Sequence, residues 1–182
     1  ELGLKKTSID DIVQACDIGK GSFYKFYTSK EELFFEIMKK EESNYQLVAE
    51  SVVNSDKEGP ELMTMLIKEL LSFYQLNVFL QLFFERKELP LLLKKVPLEE
   101  VLLYSDEQRL KFVRLIEVLM NEKRIGDMRP EIVEAIVRSI LILSVHKQEI
   151  GKEVYPEVME YMIQFVGSGL GMVGRYNEND TN

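Results

Sequence analysis

Residues 20–33 have the sequence KGSFYKFYTSKEEL, and this stretch decides the fold class. Its first part, from Lys20 to Phe26, is predicted to form a short helix with Phe23 and Phe26 on one side. Ser29 is followed three residues later by Glu32, a capping box that opens a long helix over residues 30–53. The stretch therefore predicts two successive helices joined by a short turn.

A further helix is predicted just before this stretch. Apolar residues recur there at helical spacing, namely Ile9, Ile12, Val13 and Cys16. Thr7 is placed to cap this helix, with Asp10 three residues on. The break Asp17-Ile18-Gly19 separates it from the helix that begins at Lys20. A capped helix, a short turn and a second helix predict a helix-turn-helix, whose second helix enters the DNA major groove.

The charge distribution singles out the same segment. The net charge is -8, from 23 basic and 31 acidic residues, so the chain as a whole does not favour nucleic acid. Between Gly19 and Lys30, however, there are three lysines and no acidic residue. The lysines can neutralise phosphates, Ser22 and Tyr24 can bond phosphates or base edges, and Gly21 permits close approach. The spacing alone leaves open an ordinary helical corner with a solvated lysine face.

The remaining chain is predicted to be helical throughout, because it lacks sustained alternation and hairpin turns. Helices are expected near 61–75, 76–88, 106–124, 131–149 and 154–174. Pro90 and Pro97 predict short helical pieces and loop between the second and third of these. The sequence predicts an all-α protein with a head at residues 1–50 and a body at residues 51–182.

Three runs carry a family resemblance: Thr7 to Ile12 (TSIDDI), Lys20 to Tyr24 (KGSFY) and Ser29 to Leu33 (SKEEL). Together they closely resemble the DNA-binding head of the TetR (tetracycline repressor-like) family. The resemblance implies an all-helical homodimer in which each head binds half of a near-palindromic operator in double-stranded DNA. The single cysteine, Cys16, fits a reducing cytoplasm, so we expect a cytoplasmic protein. The resemblance also implies that the body binds a small ligand and forms the dimer. We therefore expect a ligand-responsive transcriptional regulator, a repressor released by an inducer.

Position by position, the resemblance implies a DNA-binding set of Thr7, Lys20, Gly21, Ser22, Tyr24, Lys25 and Lys30. Ile18, Phe23 and Tyr27 match positions that pack inward in the family. Three residues depart from the pattern. Asp17 stands where the family often has glycine, Gly19 where it often has a capping serine or threonine, and Phe26 replaces a commoner tyrosine or histidine. Glu1-Leu2-Gly3 looks like the end of the family's first helix, which is expected to precede the sequence given.

Aromatic residues of the body form the second candidate site. Apolar walls with a few polar groups suit a small-molecule pocket. Within the family resemblance they indicate a hydrophobic or aromatic ligand, although core packing is the simpler explanation for any single one. The candidates are Phe73, Tyr74, Phe79, Phe83, Phe84, Tyr104 and Phe112.

The last two helices are candidates for a dimer interface. Apolar residues in 131–149 cover more than the single stripe that a surface helix needs, and 158–173 combines apolar residues with closely spaced glycines. We expect a four-helix interface that includes Ile136, Ile140, Met162, Val166 and Leu170. Burial within one subunit is the alternative.

Catalysis, a metal and a membrane span find little support in the sequence. His146 is the only histidine, Cys16 is expected to be a small core residue, and adjacent glutamates do not form an acid/base couple. The longest uncharged run, Leu70 to Phe84, is shorter than a membrane span and contains polar residues. We expect no enzyme activity, cofactor, metal or membrane association. The runner-up is a helical ligand-binding or adaptor protein that has lost DNA binding.

Overall fold

The computed structural model describes residues 3–84 and 88–172, with the side chains of Phe83 and Phe84 outside that description. The described residues contain helices and no strand, which confirms the predicted all-α class. The helices are α1 (Gly3–Lys6), α2 (Ile9–Ala15), α3 (Lys20–Phe23), α4 (Lys30–Val53), α5 (Gly59–Leu76), α6 (Val78–Phe84), α7 (Leu89–Leu92), α8 (Leu98–Asn121), α9 (Pro130–Ser144), α10 (Lys147–Ile150) and α11 (Tyr155–Met172). None of these helices combines the length and the apolar character needed to cross a membrane.

The chain divides into two compact units. Unit 1 comprises Glu1–Asn44 and Asn77–Ser105, and unit 2 comprises Tyr45–Leu76 and Asp106–Asn182. The boundary predicted at residue 50, between the head and the body, stays a prediction.

The core of unit 1 packs the start of α4 against α1 and later helices. Its buried residues come from α1, α4, α7 and α8 and from the turn after α7: Leu4, Phe34, Phe35, Met38, Leu92, Val96 and Val101. Such burial is worth about 1.5–3 kcal/mol for each large apolar side chain. This burial fixes the start of the long helix α4 against α1, α7 and α8.

Unit 2 is organised by the packing of α11 against α5. Gly167 and Gly171 lie on the contact face of α11, and a Cβ at Gly171 would lie 2.1 Å from the backbone nitrogen of Pro60. A Cβ at Gly167 would lie 2.3 Å from the Thr64 hydroxyl. Two of the closely spaced glycines thus permit helix contact within one subunit.

Arg124 holds the turn between α4 and α5. Its guanidinium donates to the carbonyl oxygens of Ser55 at 2.6 Å and Lys57 at 2.7 Å, and also to that of Val53. The Gly59 amide donates to the Arg124 carbonyl oxygen at 2.6 Å. The bond to Val53 satisfies a carbonyl that the end of α4 leaves without a helical partner, and the bonds to Ser55 and Lys57 fix the turn that follows.

Several helix boundaries differ from the sequence expectation. Helix α3 ends at Phe23 and not at Phe26, whose side chain is 77% exposed and does not share the buried side of Phe23. Helix α8 begins at Leu98, because Pro97 stands just before it and accepts bonds from the Glu100 and Val101 amides. Proline is tolerated at a helix start, where its missing N–H has no helical partner. Helix α9 ends at Ser144, five residues earlier than predicted, and α10 follows as a separate piece.

Candidate nucleic-acid interface

Helices α2 and α3 and the turn at residues 16–19 form the helix-turn-helix. The cap of α2 is Ser8 and not Thr7: the Asp11 amide donates to the Ser8 hydroxyl at 3.1 Å, and the Ser8 amide donates to the Asp11 carboxylate at 2.7 Å. These bonds lower the pKa of Asp11. The Thr7 hydroxyl donates instead to the Gly3 carbonyl oxygen at 2.8 Å. The capping box thus lies one residue later than the spacing indicated.

The turn after α2 has the geometry of a Schellman motif. Its amides bond backward, from Asp17 to Gln14 and from Ile18 to Val13. Asp17 has a φ of +52°, a left-handed conformation that usually selects glycine. This explains why the family often has glycine here. Asp is among the few other residues that tolerate the conformation.

Helix α3, the second helix of the helix-turn-helix and here called the recognition helix, has one buried side and one exposed side. Phe23 is 3% exposed, and its ring packs against Tyr24 and Tyr27, with centroids 5.5 and 5.8 Å apart. The five candidate DNA contacts of this segment are all exposed: Lys20, Gly21, Ser22, Tyr24 and Lys25. The structure therefore brings these five residues together on the outer surface of the head.

The lysines of the head differ in their surroundings. Lys20 forms an ion pair with Asp10, with Nζ 2.7 Å from Oδ1, and this hydrogen bond raises the pKa of Lys20. Lys25 is exposed and forms no ion pair within the described residues. Of the two recognition-segment lysines, Lys25 is the one with no neighbouring acid to displace before it meets a phosphate.

Lys30 has a structural role in the head. Its Nζ donates to the carbonyl oxygens of Leu4 and Thr7, each at 2.7 Å, and the side chain is half-buried. Lys30 thus ties the segment from α1 to Thr7 onto the start of α4. Both the Lys30 and the Thr7 side chains are hydrogen-bonded within the protein. Phosphate contact by either residue stays a prediction.

Sequence reasoning misplaced two side chains of the turn. Cys16 is exposed and not in the core, because α2 ends at Ala15 and residue 16 is its carboxyl cap. Ile18, matched to an inward position, is 44% exposed. Asp10 was missed as a neighbour of Lys20, because a contact across ten residues depends on the angle between two helices.

The candidate ligand residues are divided between the units. In unit 1 Phe79 packs on Phe34 at 5.7 Å, and the Tyr104 hydroxyl donates to the Lys39 carbonyl oxygen at 3.2 Å. In unit 2 Phe73 contacts Tyr45, with ring centroids 6.1 Å apart. Tyr74 is buried and Phe112 is half-buried, and the side chains of Phe83 and Phe84 lie outside the described residues.

A groove of about 490 Å³ lies along α5, and none of the predicted aromatic residues lines it. The residues that line it are Pro60, Glu61, Thr64, Met65, Lys68 and Glu69. The aromatic ligand site therefore stays a prediction.

The candidate dimer residues face different ways. Ile140 and Leu170 are 1% and 5% exposed within one chain, which favours the alternative of burial within one subunit. Ile136, Met162 and Val166 are half-buried. The exposed apolar residues of the two helices were not singled out from the sequence: Ile132, Ile142, Leu143, Tyr161, Phe165 and Met172. Tyr161, Phe165, Gly169 and Met172 recur at helical spacing, a signal that was available.

The described residues show no group of three His, Cys, Asp or Glu side chains placed to hold a metal ion. His146 is exposed, with Nδ1 3.7 Å from a Glu149 carboxylate oxygen on α10.

Helices α2 and α3 with their turn have the arrangement of a helix-turn-helix. Residues 1–37 match the model of the bacterial regulatory proteins of the tetR family, which confirms the resemblance drawn from the sequence. Residues 1–37 are thus similar to the DNA-binding head of that family. No curated protein matches the chain.

Solved structures share the fold over nearly the whole chain. A transcriptional regulator of the TetR/AcrR family from Thermobifida fusca YX-ER1 superposes with a TM-score of 0.64 at 18% identity, covering 92% of this chain and 88% of its own. A putative TetR-family regulator from Syntrophomonas wolfei str. Goettingen gives 0.67 at 17%, covering 92% and 85%. Another from Shewanella sp. PV-4 gives 0.62 at 16%, covering 93% and 90%. At these identities the likeness extends to the fold alone.

Proposed function

We propose that the protein is a homodimeric, ligand-responsive repressor that binds a near-palindromic operator and leaves it when a small hydrophobic or aromatic inducer binds. The observation that carries the proposal is the exposed surface of Lys20, Gly21, Ser22, Tyr24 and Lys25 in a head that matches the family model. Phosphate contacts set the affinity of such a surface, and base contacts set its specificity.

The dimer is proposed to form through the exposed apolar side of α9 and α11. Phe165 is 70% exposed, and its ring stacks on Tyr161 at 5.8 Å. Gly169 lies on the same side, and a Cβ there would meet nothing within 4 Å. A mid-helix glycine costs about 1 kcal/mol relative to alanine, and close approach of a second subunit offsets that cost.

A dimer of this kind presents two heads to one side of a duplex. Two recognition helices read successive major grooves when they lie about 34–36 Å apart. An inducer releases such a dimer if it prefers a different separation of the heads. Coupling of about 1–3 kcal/mol is typical of allosteric proteins.

DNA binding is tested by selecting sequences from a randomised duplex pool with the intact protein and then measuring fluorescence anisotropy against salt. We expect enrichment of a two-fold symmetric sequence and an affinity that falls steeply with salt. The runner-up is favoured by the acidic residue in the turn before the recognition helix, Asp17. Failure to retain any duplex at low salt would refute the repressor and favour the adaptor.

The dimer is tested by Phe165→Glu, which places a charge on the apolar side of α11. We expect monomers in sedimentation equilibrium and a loss of cooperative binding to the symmetric duplex. Leu47→Glu is the matched control, because Leu47 is also exposed, at 61%, but lies on α4. Monomers from both variants, or from neither, would contradict the assignment.

The inducer is tested by screening small hydrophobic and aromatic compounds for a rise in Tm of the intact protein. A compound that binds only the folded state raises its stability according to its concentration and Kd. We expect at least one such compound to release bound duplex. Stabilising compounds that never release DNA would contradict the inducer and leave DNA binding intact.

A further inference from the structure

The ion pair between Asp10 and Lys20 joins α2 to α3, the recognition helix, on the outer surface of the head. The Lys20 Nζ lies 2.7 Å from Asp10 Oδ1, and the side chains are 53% and 71% exposed. Such an exposed pair contributes little to stability, typically less than about 1 kcal/mol. Stability therefore does not explain why this ion pair lies on the surface.

Both groups keep unused hydrogen-bonding capacity. An ammonium has three donors, of which Asp10 takes one, so two remain for other acceptors. A carboxylate has about four acceptor positions, and within the described residues only Lys20 occupies one of those on Asp10. The pair thus presents a donor and an acceptor side by side.

A G·C base pair presents the complementary arrangement in the major groove. Guanine offers O6 and N7 as acceptors, and cytosine offers its N4 amino group as a donor. Guanine O6 and cytosine N4 bond to each other within the base pair, so they lie about 2.9 Å apart. That separation is close to the 2.7 Å between the two charged atoms of the protein.

We infer that Asp10 and Lys20 together read one G·C base pair in each half of the operator, Lys20 donating to guanine and Asp10 accepting from cytosine. The inference rests on the proposed DNA binding and names the base pair that these two side chains recognise. An A·T pair presents the opposite arrangement, with an amino donor where guanine has O6 and an acceptor where cytosine has N4. The ammonium would then face a donor and the carboxylate an acceptor.

The inference is tested with the intact protein on a randomised duplex pool, comparing wild type, Lys20→Met, Asp10→Ala and the control Lys25→Met. Wild type is expected to fix one G·C pair in each half-site. Lys20→Met should reduce the preference for that pair roughly ten- to hundredfold and leave the other positions unchanged. Asp10→Ala should reduce the same preference, because cytosine loses its acceptor, and should raise affinity for duplexes that lack the G·C pair, because a negative charge is removed. Lys25→Met should weaken all sequences equally.

A chemical probe gives an independent readout. In the selected duplex, 7-deazaguanine at the fixed position removes the N7 acceptor and should weaken wild type but not Lys20→Met. An unchanged base preference in both Lys20→Met and Asp10→Ala would overturn the inference and make the pair a brace between helices. Absence of DNA binding by wild type would instead overturn the proposed function.

Discussion

The Nζ of Lys30 donates to the carbonyl oxygen of Leu4 at 2.7 Å. The same ammonium donates to the Thr7 carbonyl oxygen at 2.7 Å. A lysine that the family resemblance assigns to phosphate binding thus holds the segment before α2 against the first turn of α4.

Replacing Lys30 by methionine is expected to destabilise the fold. The change leaves two half-buried carbonyl groups without their charged donor, which costs about 1–3 kcal/mol in the free energy of unfolding. Lys25→Met is the control, because Lys25 is exposed, and its effect should stay within about 0.5 kcal/mol. Urea denaturation followed by circular dichroism measures both. Equal stability of the two variants would show that Lys30 has no structural role in solution.

Asp17 supports a second prediction, which separates backbone strain from charge. Asp17→Gly should raise the free energy of unfolding by about 1 kcal/mol, because glycine adopts the φ of +52° without a steric cost. Asp17→Asn should leave stability nearly unchanged, because asparagine tolerates this conformation much as aspartate does. Both variants remove a negative charge beside the recognition helix, so both should bind duplex DNA more tightly.

Denaturation and anisotropy on the same preparations measure the two effects. A stabilised Asp17→Asn would show that charge, not backbone conformation, limits the stability of the turn. Unchanged DNA affinity in both variants would place Asp17 outside the DNA-facing surface.

The sequence predicted the local features of the head better than its longer-range contacts. The buried Phe23 and the exposed Lys20, Ser22, Tyr24 and Lys25 follow from helical period and family pattern. The capping of α2 was misplaced by one residue, since Thr7 and Ser8 are both good caps and only the geometry chooses between them. The contacts of Asp10 with Lys20, and of Lys30 with Leu4, depend on how helices pack.

In the body, the helical spacing of apolar residues did not distinguish buried positions from exposed ones. Helices α9 and α11 are apolar on more than one side, so the inward Ile140 and Leu170 looked the same as the outward Ile142 and Phe165. The glycines of α11 show the same ambiguity. Gly171 touches α5 while Gly169 faces open space, although both read as close-packing positions.

Glu32 supports a prediction about acid stability. The Thr28 amide and hydroxyl donate to its carboxylate at 2.7 and 2.8 Å, and these bonds lower the pKa of Glu32 from its ordinary value of 4.5. A lowered pKa in the folded state stabilises the protein above the unfolded value. This contribution is lost as the pH falls below about 4.5 through the lower folded pKa.

Glu32→Gln should therefore be less stable than wild type near pH 6 and lose less of its stability between pH 5 and about pH 3. Glu31→Gln is the control, because Glu31 has no ion pair or side-chain hydrogen bond among the described residues. Urea midpoints across this pH range provide the measurement. An acid limb with the same slope in wild type and Glu32→Gln would contradict the capping role.

The glycines of α11 allow a matched test of its packing on α5. Gly171→Ala should lower the free energy of unfolding by about 1–3 kcal/mol, because the new Cβ would lie 2.1 Å from the Pro60 nitrogen and backbone atoms must shift. Gly169→Ala meets nothing within 4 Å and should gain up to about 1 kcal/mol from helix propensity. Both changes are measured by denaturation in the Phe165→Glu background, where the proposed subunit contact is removed. Equal effects of the two alanine variants would mean that α11 does not pack on α5 through Gly171. If Gly169→Ala destabilises the protein that retains Phe165 but not the Phe165→Glu variant, Gly169 lies at the subunit contact.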